Sequence, residues 1–114
     1  MNNRGQNAEA RAARYLEAQG LKIVERNYRC RYGEIDLIMQ EGITLVFVEV
    51  RARSSTAFGG AAASITAAKR EKLMRTASHY LSSIRRTPRC RFDAVLMTSE
   101  TGPVEWIRGA FSVA

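Results

Sequence analysis

The sequence predicts an α/β fold, and three observations carry the prediction. Apolar residues recur at helical spacing over residues 7–19, and again from Ser64 or Thr66 up to the residue before Pro88. Between these helices lie three short runs rich in Val, Ile and Phe, punctuated by Gly33 and by Glu41-Gly42. The last of these runs is apolar on both faces, as a strand covered on both sides must be. With 114 residues, the chain is long enough for one domain spanning 1–114 with a real core, but not for two.

Each element has a local reason. In the first helix Asn7 can cap the start and Gly20 can end it. Ala12, Ala13 and Leu16 form its apolar face, which Tyr15 broadens, and Glu9 lies on the same side at helical spacing. The first strand, 21–29, holds Leu21, Ile23 and Val24; the second, 33–40, holds Ile35, Leu37, Ile38 and Met39. The third, 43–53, runs from Ile43 through Leu45-Val46-Phe47-Val48 to Val50 and reads as central. A Gly- and Ser-containing loop covers 54–63. The second helix carries Ile65, Leu73, Ala77, Tyr80, Leu81 and Ile84 on one line, with Arg70, Arg75, Arg85 and Arg86 opposite. Two strands near 90–98 and 103–108 close the chain around a Thr101-Gly102-Pro103 turn. The order is α-β-β-β-α-β-β.

Composition narrows the function classes. Hydrophobic residues at 46% and charged residues at 25% are ordinary for a folded protein, which argues against disorder. The formal charge is +7, from 18 basic and 11 acidic residues, and favours a polyanionic partner such as nucleic acid. Simple solubility is the plainer explanation. Only Lys22, Lys69 and Lys72 among the basic residues are lysines; arginine's planar fork suits phosphate. Cys30 and Cys90 belong to no CxxC or Cys/His cluster, which argues against zinc. No signal-peptide core and no membrane-length apolar run is present, so a reduced, cytoplasmic protein without a membrane partner is expected.

Chemistry is suggested by carboxylates in apolar runs. These are Gly33-Glu34-Ile35-Asp36-Leu37-Ile38 and Val46-Phe47-Val48-Glu49-Val50-Arg51. A carboxylate buried there is costly unless its charge is offset. Strand alternation puts Asp36 on one face with Glu34 and Ile38, and Glu49 with Phe47 and Arg51. A hairpin would bring Asp36 to Glu49, with Arg51 at the same spot. Carboxylates in that arrangement suit Mg²⁺ or Mn²⁺, and Glu9 offers a third. Phosphodiester hydrolysis uses such a cation to lower the pKa of water and polarise the phosphate.

Each residue also has a plainer reading. Glu9 sits where it favours the helix dipole. Glu34 beside a turn can be solvated. Asp36 can pair with Arg31 or Arg51 across strands, and Glu49 with Arg51 or Arg53. Lys69 lies between Ile65 and Leu73, either snorkelling or directed at the active face. Gly59-Gly60 is either a flexible turn or a close approach of backbone to phosphate. Arg31, Arg53 and Arg70, with Lys69, Gly59 and Gly60, are the candidate nucleic-acid contacts. His79 has no evident partner. Trp106, Tyr28, Tyr32 and Tyr80 can stack on bases, although core packing explains most of them.

The Gly-Glu-Ile-Asp-Leu-Ile run at 33–38 and Val-Phe-Val-Glu-Val-Arg-Ala-Arg at 46–53 resemble the YraN-type family of bacterial proteins. The likeness extends over the Gly5-to-Leu16 opening, the Gly59-Gly60-Ala61-Ala62-Ala63-Ser64 loop and Arg91-Phe92-Asp93. That family in turn resembles the archaeal Holliday-junction resolvases and the restriction-endonuclease-like superfamily. Their pattern is an acidic residue, then Asp or Glu, any residue and Lys on the next strand. The resemblance implies a restriction-endonuclease-like core, a mixed central sheet flanked by helices. It implies Asp36 and Glu49 as metal ligands, the Val50 carbonyl as a further one, and Glu9 as the helix glutamate. By analogy with the resolvases it implies a homodimer. One departure stands out: Arg51 fills the lysine position. Arginine stays protonated, so it cannot act as a base, though it can stabilise negative charge. Lys69 then either replaces the missing ammonium, or the ion alone activates water, or the site is inactive.

The leading expectation is a metal-dependent endonuclease acting on DNA, with branched or structured DNA as a substrate. Glu9, Asp36, Glu49, Arg51 and Lys69 would be its catalytic group. The alternative is a non-catalytic nucleic-acid-binding module that retains the nuclease fold. A third is a protein-interaction subunit.

Overall fold

A computed structural model describes residues 4–52 and 65–111. The expected order holds: α1 Arg4–Ala18, β1 Lys22–Cys30, β2 Gly33–Glu41, β3 Thr44–Ala52, α2 Ala67–Ile84, β4 Arg89–Met97 and β5 Val104–Phe111. The strands form one five-stranded sheet in sequence order, β1-β2-β3-β4-β5. Neighbours are antiparallel except β3 and β4, which run parallel from Thr44↔Arg89 to Ala52↔Met97. A parallel pair needs a long crossover, and α2 lies within it. Among the described residues, no helix is long and apolar enough to cross a membrane.

α1 starts one turn before the expected cap, so Asn7 lies inside the helix. The extra turn gives the Ala8 N–H an intrahelical carbonyl four residues back. Its end follows the expectation for Gly20, which adopts φ +102. Leu21 N–H donates to the Leu16 carbonyl and Gly20 N–H to that of Glu17, at 3.1 and 3.0 Å. Leu16 and Leu21 are both buried, which completes a Schellman cap with its apolar contact. At the other helix, Thr66 caps α2 by accepting from Lys69 N–H at 3.3 Å. Ile65 therefore precedes the helix rather than joining its apolar line, and packs with Ala94 and Leu96.

β3 is central, and Leu45 through Val50 are all buried. Val46, Val48 and Val50 meet Ala8, Ala12, Ala13 and Leu16 of α1. Leu45 and Phe47 meet Leu73, Ala77 and Tyr80 of α2. Ile43, expected in the strand, is exposed instead. Gly42 and Ile43 form the two-residue turn between paired Glu41 and Thr44. Gly42 takes φ +59 at its first central position, the pattern of a hairpin turn that matches strand twist. β5 runs on to Phe111, past the expected residue 108, because Gly109 at φ +60 and a bulge opposite Phe92–Ala94 bring Phe111 onto Phe92. The two rings stack with centroids 4.8 Å apart.

One charge network was not visible in the sequence. The Asp93 side chain is fully buried and accepts from Arg91 Nε and Nη2 at 2.8 and 2.9 Å. It also accepts from Trp106 Nε1 at 2.9 Å and Gly109 N–H at 3.0 Å. Arg91 and Arg108 both reach Glu41, so the network ties β2, β4 and β5 together. Removing one partner of a buried pair leaves the others without partners. Asp93→Ala is therefore expected to lower unfolding free energy by about 3 kcal/mol, read as an earlier urea midpoint.

Candidate active site

Three elements deliver three carboxyl groups to one pocket. α1 supplies Glu9, β2 supplies Asp36 and β3 supplies Glu49. The pocket has a volume of about 450 Å³, and Val50, Arg51, Lys69 and Lys72 also line it. The sequence grouping of Glu9, Asp36, Glu49, Arg51 and Lys69 is thus brought together in space.

The backbone explains where Asp36 sits. β2 and β3 pair from Glu41↔Thr44 only as far as Leu37↔Val48. Beyond that point Val50 N–H donates to Asp36 Oδ2 at 2.8 Å, so a side chain takes a backbone acceptor's place. Ile35 packs on the α2 side, whereas Leu37 and Met39 pack on the α1 side. The regular alternation that would group Asp36 with Glu34 and Ile38 therefore breaks at Asp36, which reaches sideways to β3. Asp36 has neither Arg31 nor Arg51 as a hydrogen-bond partner among the described residues; its partner is a backbone amide. In an extended strand the N–H and C=O of one residue face the same edge. The Val50 carbonyl therefore faces the Asp36 side of β3.

Glu49 is 8% exposed and is held by Arg51 Nη2 on its Oε2 at 2.5 Å. Arg51 Nε is buried without a partner among the described residues. Burial, then the neighbouring charge of Asp36 and contact with it, push the Glu49 carboxyl up to about 8, and Arg51 only partly offsets this. Glu9 is raised to about 7 by burial first, then by Asp36 and Glu34, with Asn27 opposing. Two acids crowd a third, which disfavours full ionisation of the set.

The donor set is all oxygen, which suits Mg²⁺ or Mn²⁺ over zinc or copper. Val50 occupies Asp36 Oδ2 and Arg51 occupies Glu49 Oε2, leaving Oδ1 and Oε1 as donor atoms. Among the described residues, no three Asp, Glu, His or Cys side chains are already gathered as a metal cage.

Other expected contacts fall elsewhere. Arg31 lies at the β1–β2 turn, over the Tyr32 ring, in a separate groove. Arg70 lies over Phe111 and does not line the acidic pocket. Arg53, Gly59 and Gly60 lie outside the described residues. Gly33 and Glu34, read in the sequence as a turn and a solvated carboxylate, also line the pocket, and so does Lys72, which the sequence reading did not single out as a site residue. Glu34 pairs with exposed Arg29 at 3.0 Å yet still raises Glu9. Lys72 was legible, because it follows Lys69 by three residues on one helix face. His79 does have a partner: the Tyr28 hydroxyl lies 2.5 Å from its Nδ1.

Fold and pocket define an α/β protein whose five-stranded mixed sheet, covered by two helices, carries an acidic pocket beside its central strand. The chain belongs to the family described as "Uncharacterised protein family UPF0102", whose model matches residues 8–97. All pocket residues named above fall within that span. A UPF0102 protein of Methylobacillus flagellatus is 58% identical over 113 residues, covering 98% of this chain and 99% of the relative. One of Nitrosomonas europaea is 59% identical over 110 residues, covering 96% and 93%. One of Psychromonas ingrahamii is 48% identical over 110 residues, covering 96% and 90%.

The raised carboxyl groups set a sign for stability. Between their ordinary pKa of 4.5 and their folded values near 7 and 8, the folded chain holds protons that the unfolded chain has released. Stability therefore falls as pH rises through that window. In EDTA, urea midpoints are expected to drop from about pH 5 to about pH 8, and Glu49→Gln to flatten the slope.

Proposed function

We propose that this chain is a metal-dependent endonuclease that hydrolyses DNA phosphodiester bonds, with branched or structured DNA the substrate to test first. One observation carries the reading: Glu9, Asp36 and Glu49 converge from three elements on one pocket that Arg51, Lys69 and Lys72 also line. Asp36 and Glu49 would hold Mg²⁺ or Mn²⁺, with Glu9 and the Val50 carbonyl completing the oxygen set. When bound, the cation would lower the pKa of water and polarise the phosphate. The chain's own cations have different tasks. Arg51 stays protonated at any working pH, so it stabilises charge building on the phosphate rather than taking a proton. Lys69 and Lys72 hold the phosphate from the helix side. The sequence resemblance to the resolvases supports the reading by analogy, and with it a homodimer able to make paired cuts.

A second reading has its own observation. Arg51 already neutralises part of Glu49, as it would in a retired site kept for nucleic-acid binding. Such a module would bind in EDTA with salt-dependent affinity and never cut.

Four-way junction, flap, single-stranded and duplex DNA, each end-labelled, separate these readings in Mg²⁺, Mn²⁺ and EDTA. Cuts that need the cation and vanish in Glu49→Ala are the expected result. Gel-shifted but uncut DNA with both proteins would replace the nuclease by the binding module.

A further inference from the structure

We propose that the groove beside the β1–β2 turn is a second subsite, which takes an unpaired nucleotide of the substrate. Its volume is about 630 Å³, and it lies between that turn and the exposed face of α2. The turn contributes Arg31 and Tyr32, and the helix contributes Arg75, Ser78, His79 and Ser82. None of these residues lines the acidic pocket.

The chemistry is that of a stacking site. The Arg31 guanidinium lies 4.9 Å from the Tyr32 ring centroid and donates to its hydroxyl at 2.7 Å. His79 sits edge-on to the same ring, 6.2 Å between centroids. Its Nδ1 is taken by Tyr28, which leaves Nε2 for a base edge. Aromatic rings and arginine planes are what single-stranded nucleic acid stacks upon. Ser78 and Ser82 add hydroxyls at helical spacing, and Arg75 adds the charge a phosphate needs. Glu71 opposes that charge through a 3.0 Å pair with Arg75. Both side chains are more than 60% exposed, so the pair is weak and exchangeable for a phosphate.

Position links this groove to the proposed nuclease site, and the inference rests on that reading for its catalytic consequence. Tyr32 is followed directly by Gly33, which lines the acidic pocket. At Gly33 a Cβ would stand 3.3 Å from Thr76 Oγ1 and 3.9 Å from Lys72 Cβ, so the turn is seated tightly on α2. The two cavities therefore adjoin one turn that packs against α2. A base inside a duplex has both faces stacked already; an unpaired one offers a face to Tyr32. The substrate class that fits both cavities is DNA with an unpaired nucleotide next to the scissile phosphate.

The test is fluorescence anisotropy in EDTA, with labelled oligo-thymidylate and a duplex of equal length. Tyr32→Ala is expected to weaken single-strand binding about tenfold while duplex affinity moves by less than about twofold. Tyr32→Phe, which keeps the ring, is expected to retain single-strand affinity. Equal loss on both probes, no loss in Tyr32→Ala, or no single-strand binding by the wild type would each overturn the subsite. Cleavage of flap against duplex DNA is scored separately in Mg²⁺. A wild type that binds through Tyr32 yet never cuts keeps the subsite and removes the nuclease. One that cuts flaps and duplexes alike, with Tyr32→Ala unchanged, does the reverse.

Discussion

Where the ladder between β2 and β3 ends, the Val50 amide turns to the Asp36 carboxylate at 2.8 Å. Much of the pocket follows from that bond. It stops β2 from continuing as a regular partner of β3, and Asp36 moves from a sheet face to the gap between strands. There it lies close to Glu49 on the next strand and to Glu9 on the helix above. A backbone amide satisfies one carboxylate oxygen without neutralising the charge. The charge stays available to raise both neighbours. A serine or asparagine at 36 could take the same amide, but would not load the pocket with a third anion.

The sheet holds a second buried carboxylate, and the contrast with it is instructive. Asp93 and Glu49 each have an arginine two residues away on their own strand, and on sequence alone Arg91-x-Asp93 and Glu49-x-Arg51 are equivalent ion pairs. Their surroundings differ. Asp93 receives two guanidinium bonds, an indole N–H and a backbone amide, and its arginine is shared with Glu41. Two acids there meet two arginines. Glu49 receives one guanidinium contact and a repelling neighbour. A satisfied network of the first kind joins strands. The second kind is left with repulsion that its one arginine only partly offsets, as functional sites often are.

The sequence told much of the fold because periodicity and caps are local. Gly20, Thr66, Gly42 and the apolar run of β3 each announce themselves within a few residues. Misreadings arose where a neighbouring turn or a distant partner overrode a residue's own propensity. Ile43 looks like strand but lies in the turn that Gly42 makes possible. Asp93 looks like one acid among several until Trp106 and Gly109 close over it. For the pocket, Glu9, Asp36, Glu49, Arg51 and Lys69 were legible as chemically unusual residues in apolar or helical patterns. That they meet depends on β2, β3, α1 and α2 packing together, which no local pattern encodes. Arg31 and Arg70 were named for charge alone, and charge does not say which surface a side chain reaches.

Charge balance gives Arg51 a sense beyond its departure from lysine. When Glu9, Asp36 and Glu49 are ionised, Arg51, Lys69 and Lys72 match them in number, while Glu34 is paired outward with Arg29. A phosphate that engaged the two lysines would take their charge, and the three carboxylates would again be short by two. A divalent cation would supply that shortfall. On the proposed reading each ligand would improve the site for the other, and by linkage the coupling would be reciprocal. A lysine at position 51 could lose its proton to such a crowded acid, and the balance would shift with pH. Arginine cannot, so the pocket keeps one fixed positive charge through the range in which Glu9 and Glu49 titrate.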